Sequence, residues 1–340
     1  MSSDPLQILI TMPFTEQQVD MIRAVSPLLK VTAIRAHQPN EIPGELWAKT
    51  DILYTDTVLP DPSIAPNLKW IQFHYTGIDY ALNNSLLKKP DLMITNMSGA
   101  NAPQVAEYAL TLMLALSTNL KAMVENQLKS AWPAKRWENF RQHELRGSTV
   151  GLVGYGSIAR EIARLLVPFG AIILAAKRDL RQLKDEGYFP AGLGDPDGDL
   201  FTRLYPIEAL KSMLKECDYV VLALPYTPTT RNLFSTEEFG SMKPSALFID
   251  LSRGGIVDLT AMKEALEKKV IAGAAIDVFP EEPLPANSPL WKLPNTIISP
   301  HVGGVSTQYN NRAAELFCAN IRRYLQKAAL LNRFDPEKGY

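Results

Sequence analysis

In the N-terminal part of the chain, short apolar runs recur, each followed by a turn or a polar segment: Leu6–Ile10, Lys30–Ile34, Ile52–Tyr54, Trp70–Phe73 and Met93–Thr95. Runs this short suit parallel strands buried on both faces. Helix candidates lie between them. In Thr15–Ala24, Val19 and Ile22 fall on one side at helical spacing, with Met21 beside them. The order is that of an α/β layer whose helices cover a sheet.

A different signal begins at Asn101. Pro103 suits the first turn of a helix, and Val105, Ala109, Leu112, Leu116 and Leu120 keep a helical period, which predicts one long, largely buried helix. A second series of strand-like runs follows at Thr149–Val153, Ala171–Ala175, Tyr219–Leu224, Ala246–Leu251, Ala272–Ile276 and Thr296–Ser299, alternating with helical segments such as Ile158–Leu166 and Ala261–Lys268. Such alternation matches a doubly wound mononucleotide-binding fold. Asn311 to Ala329, with Leu316, Ile321, Tyr324 and Leu325 at helical spacing, reads as a closing helix. Prolines sit between elements, and only Lys184–Leu204, rich in Gly, Asp and Pro, is too long for an ordinary connection. An inserted loop is expected there.

Composition narrows the class. The 340 residues carry 35 Lys+Arg against 36 Asp+Glu and are 46% hydrophobic, which suits two domains and gives no reason to expect nucleic acid or anionic membrane as a partner. Cys217 and Cys318 are far apart and form neither a disulfide framework nor a CxxC metal or redox site, so buried, inert thiols are expected. Met1–Pro5 lacks the basic and apolar blocks of a signal peptide, and the most apolar stretch, Tyr108–Leu116, is far below the ~20 residues of a membrane span. These features suggest a cytosolic protein.

The first chemical signal is a glycine turn. Thr149-Val-Gly-Leu-Val precedes Gly154-Tyr155-Gly156-Ser157-Ile158-Ala159, placing a strand before GxGxxA and a helix after it. Gly154 suits the tight turn, Gly156 lets the backbone approach a pyrophosphate, and Ala159 permits close packing of helix on sheet. The amides of Ser157 and Ile158 would hold the phosphate charge. Where such folds place an acid for the adenine-ribose 2′-hydroxyl, the chain has Lys177 and Arg178 instead. That pair would attract a 2′-phosphate and favours NADP(H) over NAD(H), with Asp179 the alternative acid.

Three further segments place polar residues just after strands, the edge at which open α/β sheets bind ligands. Arg253 follows Phe248–Ser252 and precedes Gly254 and Gly255; Asp277 begins a run to Glu281, Glu282 and Pro283; His301 lies between Pro300 and the pair Gly303-Gly304. Arginine suits bidentate recognition of a carboxylate. Histidine can exchange a proton near neutral pH, and a carboxylate beside it favours the protonated ring and fixes its orientation. His37 and His143 read as surface residues, and His74 is a candidate for lining a substrate site. Asp258 looks structural.

At these residues the chain resembles the D-isomer-specific 2-hydroxyacid dehydrogenase family. The resemblance runs through LKWIQFHYTGID (68–79), NAPQVAEYAL (101–110), GLVGYGSIA, ALPYTPTTRNLF (223–234), DLSRGGIVD, AAIDVFPEEPLP and ISPHVGGVS, covering nearly the whole chain. It implies an enzyme that moves a hydride between NAD(P)H and a small 2-oxo or D-2-hydroxy acid. Arg253 would orient the substrate carboxylate, with Glu282 the partner carboxylate and His301 the acid/base. Tyr75, Thr76, Gly77 and Ile78 would line the substrate site, with the amides around Thr76–Ile78 as a second carboxylate anchor. The cofactor site would draw on Gly154, Tyr155, Gly156, Ser157, Ile158, Lys177, Arg178, Leu224, Pro225, Thr230, Ser252, Arg253, Asp277, His301 and Gly303, with Asp277 contacting the nicotinamide carboxamide.

The resemblance implies a flavodoxin-like substrate domain (1–107 and 308–340) into which a dinucleotide-binding Rossmann domain (108–307) is inserted, with a cleft between them. Family members often form homodimers, and Trp132 and Trp137 could reach a neighbouring subunit's site or pack within one chain. Formate and phosphonate dehydrogenases are rivals among enzymes. The rival outside enzymes is a cofactor-sensing protein resembling the C-terminal-binding-protein corepressors. The chain departs from the family at Lys177-Arg178, at the expanded segment 184–204 and at the aromatic loop Phe73–Tyr75.

Overall fold

The computed structural model describes residues 5–336 and 339. The leader reading at Met1–Asp4 and the assignment of Glu337, Lys338 and Tyr340 to the substrate domain lie outside the described residues. Contacts divide the chain into two compact units: residues up to Asn101, Glu186–Pro190 and the chain from Ser306 on; and Ala102–Asp185 with Ala191–Val305. The cuts thus fall at 101/102 and 305/306, where the sequence placed them at 107/108 and 307/308. The reason is the helix Ala102–Ser117, which packs along its length on the helix Ser157–Leu166 and on the second unit's sheet.

In the first unit, β1 (Leu6–Ile10), β2 (Leu29–Ala33), β3 (Ile52–Thr55), β4 (Trp70–Phe73) and β5 (Met93–Thr95) form a parallel sheet in the order β2-β1-β3-β4-β5. This is the flavodoxin-like order. Every residue of β3 and β4 is buried, which is why these runs lack polar alternation. Ile8, Ile10, Tyr54 and Trp70 pack with Leu316, Phe317 and Ile321 on one face; Leu9, Leu53, Ile71 and Phe73 pack with Trp47 on the other. The helix Glu16–Arg23 starts at a capping box of Thr15 and Gln18. The closing helix is Tyr309–Leu325; it contains the whole hydrophobic spacing but begins before Asn311 and ends before Ala329, the bounds expected for it. Lys327 at φ +55° ends it in the left-handed conformation typical of a helix C-terminus.

In the second unit, among the described residues, β6 (Thr149–Val153), β7 (Ile172–Lys177), β8 (Arg203–Pro206), β9 (Tyr219–Leu222), β10 (Leu247–Asp250), β11 (Gly273–Ile276) and β12 (Thr296–Ile298) form a parallel sheet ordered β12-β11-β10-β9-β6-β7-β8. β8 leaves no signal in the hydrophobic pattern. It is a four-residue edge strand, paired only to β7 and ending in a proline, too short for a periodic pattern. It claims Arg203 and Leu204, which corrects the C-terminal end of the expected loop.

The rest of that loop is firmly anchored. Arg160, buried on the helix after the glycine turn, donates to the carbonyls of Leu183 and Asp195. The Asp195 carboxylate accepts from Tyr155 Oη (2.6 Å) and the amides of Gly198 (3.1 Å), Asp199 (3.1 Å) and Leu200 (3.2 Å). The long helix is also corrected: it stops at Ser117, Asn119 adopts φ +54°, and Leu120 opens the separate helix Leu120–Leu128. Leu120 is 46% exposed instead of core.

Cys217 and Cys318 are buried free thiols, pushed up by burial to about 12 and about 11. No helix among the described residues is long and apolar enough to cross a membrane. His74 does not line an open surface: it is buried, Nδ1 lies 2.7 Å from the Tyr54 hydroxyl, and Phe14, Tyr75 and Tyr309 surround the ring.

Burial lowers His74 from 6.5 to about 4. Because the folded ring titrates below the unfolded one, the unfolded chain binds the extra proton, and stability falls as pH drops from 6.5 towards 4. The full effect is roughly 3 kcal/mol. Urea unfolding of wild type and His74→Gln at both ends of this window should show the variant losing less stability in acid; equal losses would remove His74 as the cause.

Candidate active site

The second unit's sheet reverses its winding between β6 and β9, and the carboxyl ends of the strands around that point carry the polar segments read from the sequence. Gly154, after β6, has φ +91°, and a Cβ there would meet Ala223 O and Leu224 Cδ2 at 2.7 Å. Glycine is therefore required by the fold. Gly156 differs: a Cβ on it would have nothing within 4 Å, and no side chain caps the helix that starts beside it. A helix start beside open space, with no Cβ in the way, fits a pyrophosphate. Ala159 is buried, as close helix packing requires.

The predicted cofactor residues are not all alike. The side chain of Tyr155 is committed to Asp195 and, edge-on, to Phe201, so only its backbone is available to a ligand. Thr230 accepts from Thr227 N (2.8 Å) and donates to Pro225 O (2.8 Å), closing the turn after β9. Lys177 is half-buried and donates to the carbonyl of Gln182; burial, reinforced by Arg160, lowers its pKa. Arg178 is exposed. The neighbouring Asp179 spends Oδ1 on the amide of Arg181 (2.9 Å), forming its own tight turn.

β10, β11 and β12 lie side by side and bring the other segments together. At the end of β10, the Asp250 carboxylate accepts from the Ser252 amide (3.0 Å) and hydroxyl, and burial pushes its pKa up to about 6. Arg253 is half-buried, with Nη1 on the Ser252 carbonyl (2.8 Å). A Cβ on Gly254 would fall 2.1 Å from Phe279 O, so the arginine turn lies directly on the chain leading to Glu282. Glu282 Oε1 accepts from Phe279 N (2.9 Å), and Oε2 lies 2.8 Å from His301 Nδ1. With a carboxylate as its partner Nδ1 carries a proton, which makes Nε2 the nitrogen that can exchange one with a substrate.

Asp277 accepts from Ser299 Oγ (2.7 Å), Val302 N (2.9 Å) and Gly303 N (2.8 Å). Ser299 and Tyr108, whose ring lies against Gly303, escaped the sequence reading: a serine before proline and a helical tyrosine carry no signal of their own. Asp258 caps the helix Leu259–Glu267 through the amides of Thr260 and Ala261. His37 is exposed, and His143 rests on the ring of Tyr219.

In the first unit, the segment after β4 is anchored by His74 N on Thr55 O (2.7 Å) and by Thr76 Oγ1 on Asn101 Oδ1 (3.1 Å). The amides of Thr76, Gly77 and Ile78 make no hydrogen bond among the described residues. Three successive unused amides suit an anion. Tyr75 is exposed and stacks on Tyr309. Trp132 and Trp137 are 83% and 76% exposed, with Arg136 over the ring of Trp137.

Residues 110–303, more than half of the chain, match the family described as D-isomer specific 2-hydroxyacid dehydrogenase, NAD binding domain. The chain is 30% identical over 325 residues to a glyoxylate reductase of Thermococcus gammatolerans, covering 93% of this chain and 91% of the relative. It is 32% identical over 260 residues to an (S)-sulfolactate dehydrogenase of Chromohalobacter salexigens, covering 76% of this chain and 78% of that one. A crystal structure of a D-isomer specific 2-hydroxyacid dehydrogenase from Xanthobacter autotrophicus, in complex with NADPH and MES, superposes with a TM-score of 0.80 at 26% identity, covering 99% of this chain and 100% of that chain.

The two glycines should separate folding from binding. Gly154→Ala should cost about 2 kcal/mol or more in thermal or urea unfolding, through its positive φ and its clash with Ala223. Gly156→Val should leave unfolding nearly unchanged while weakening dinucleotide binding, measured by nucleotide fluorescence, about tenfold or more. Unimpaired binding in Gly156→Val would remove this turn as the phosphate site.

Proposed function

The chain belongs to the D-isomer-specific 2-hydroxyacid dehydrogenase family, and from that premise we propose that it interconverts a small 2-oxo acid and its D-2-hydroxy acid, preferring NADP(H), with His301, Glu282 and Arg253 performing the chemistry. Membership alone makes it an NAD(P)H-dependent oxidoreductase. The observation that carries the finer reading is the 2.8 Å contact of Glu282 Oε2 with His301 Nδ1 on the segment against which the Arg253 turn packs.

A bound reduced nicotinamide supplies the hydride that reaches the substrate's carbonyl carbon. His301 gives the proton to the carbonyl oxygen from Nε2, and Glu282 holds the ring in place and offsets its charge while it is protonated. Arg253 pairs with the substrate carboxylate and polarises the carbonyl, and Asp250 fixes the backbone from which it projects. In the reverse direction His301 takes the hydroxyl proton.

Three features support NADP(H). Arg178 is exposed at the end of β7, Asp179 is turned into its own loop, and Lys177, held by Gln182, adds positive charge beneath that turn. Arg178 is then the principal 2′-phosphate ligand and Lys177 a supporting charge. The NADPH bound to the Xanthobacter relative is consistent with this preference, and the Thermococcus glyoxylate reductase with a short 2-oxo acid. Exposed Trp132, Trp137 and Leu128 support a homodimer built through that segment. The reading places the enzyme in the cytosol.

Nicotinamide absorbance with glyoxylate, hydroxypyruvate and phenylpyruvate, run with NADPH and NADH in parallel, tests the proposal. At least one acid should be reduced, with kcat/KM favouring NADPH by about tenfold or more. His301→Ala should lower kcat by about a hundredfold or more while nucleotide binding persists. Silence across the panel would contradict the reaction and favour a cofactor sensor; an NADH preference would contradict the role of Arg178.

A further inference from the structure

We propose that Asp277 is a positioning residue for proton transfer: its carboxylate holds the left-handed turn that carries His301, and this role outweighs any contact with the nicotinamide carboxamide. The proposal rests on His301 as the acid/base.

His301 has φ +53°, a conformation that a side-chain-bearing residue holds only when its surroundings impose it. Here one carboxylate ties the chain on both sides of His301. Asp277 receives the amides of the two residues after His301, Val302 on Oδ1 (2.9 Å) and Gly303 on Oδ2 (2.8 Å). On the other side of His301, the hydroxyl of Ser299 donates to Oδ1 at 2.7 Å. Both arms of the turn are thus tied to one group. Gly303 makes the approach possible, since a Cβ there would come 3.0 Å from Asp277 Oδ2 and 2.9 Å from Tyr108 Cδ1.

Asp277 itself is well fixed. It is 3% exposed, and its amide donates to Asp250 O at 3.1 Å at the end of β11. A buried carboxylate must find its donors within the chain, and these three are neutral groups of the turn. An oxygen of a carboxylate has about two acceptor positions. Oδ1 has filled both and Oδ2 one, so a carboxamide could share only what remains. Five positions further on, Glu282 holds the His301 ring. The exit of β11 therefore fixes both the backbone and the imidazole of His301, and errors well under 1 Å in a reacting group are costly.

Asp277→Asn keeps the size but loses the charge and one acceptor, and Ser299→Ala removes the hydroxyl that donates to Oδ1. Three readouts test the pair: NADPH dissociation constant, steady-state kcat and KM, and the imidazole NMR signal of His301 in the nucleotide-free protein. Asp277→Asn should lower kcat by about a hundredfold and change NADPH affinity by less than about threefold. The His301 signal should move while those of His37 and His74 stay in place. Ser299→Ala should show the same pattern at smaller size, and decides the question if Asp277→Asn does not fold. NADPH affinity lowered about tenfold with kcat retained at saturation, or an unmoved His301 signal, would overturn the proposal. If wild type reduces no 2-oxo acid, the proposed reaction fails, and the NMR and affinity arms still decide the role of Asp277.

Discussion

The arrangement depends on the contact between Glu282 and His301 and on the strand end that supports it. β11 is a buried parallel strand, and the chain leaving it supplies Asp277, then Phe279, then Glu282. Phe279 donates its amide to Glu282 and offers the backbone on which Gly254 rests. One short stretch therefore sets the His301 ring, its carboxylate partner and the bed of the arginine turn. Such precision needs a rigid base, and a strand paired on both sides provides one.

A nearly neutral chain can still select anions, because selection depends on where donors are placed. The helix start at Gly156, the unused amides of Thr76–Ile78, and the guanidinium groups of Arg178 and Arg253 are chemically suited to a phosphate or a carboxylate. Other charges serve the fold. Arg160 is buried and spent on loop carbonyls, and Lys177 has its ammonium on the carbonyl of Gln182. Net charge reports none of this.

The sequence disclosed most where one physical signal dominated. Buried parallel strands leave predominantly apolar runs, so β1, β3, β4 and β5 could be located closely, and the strand-to-helix context made the glycine turn readable. Where several constraints compete, the pattern failed. β8 is too short to show a period, and Leu120 continues the helical spacing although the backbone breaks at Asn119. The segment 186–190 groups with the first unit although its flanks belong to the second, which no local pattern foretells. At the site, residue types marked Arg253 and His301, the family resemblance singled out Glu282 from the acidic run, and the structure joins Glu282 and His301 directly. What spacing could not reveal was how side chains are spent: Tyr155 on Asp195, His74 within an aromatic core, and Asp277 on the amides after His301.

The central claim is that Glu282 makes His301 an effective proton donor without itself binding either reactant. The most direct measurement is a stopped-flow single turnover of NADPH-loaded protein with a 2-oxo acid, comparing wild type with Glu282→Gln at saturating substrate. The account predicts a chemical step slowed by about a hundredfold or more, with the dissociation constants of both reactants nearly unchanged. A Glu282→Gln chemical step within about threefold of wild type would contradict it.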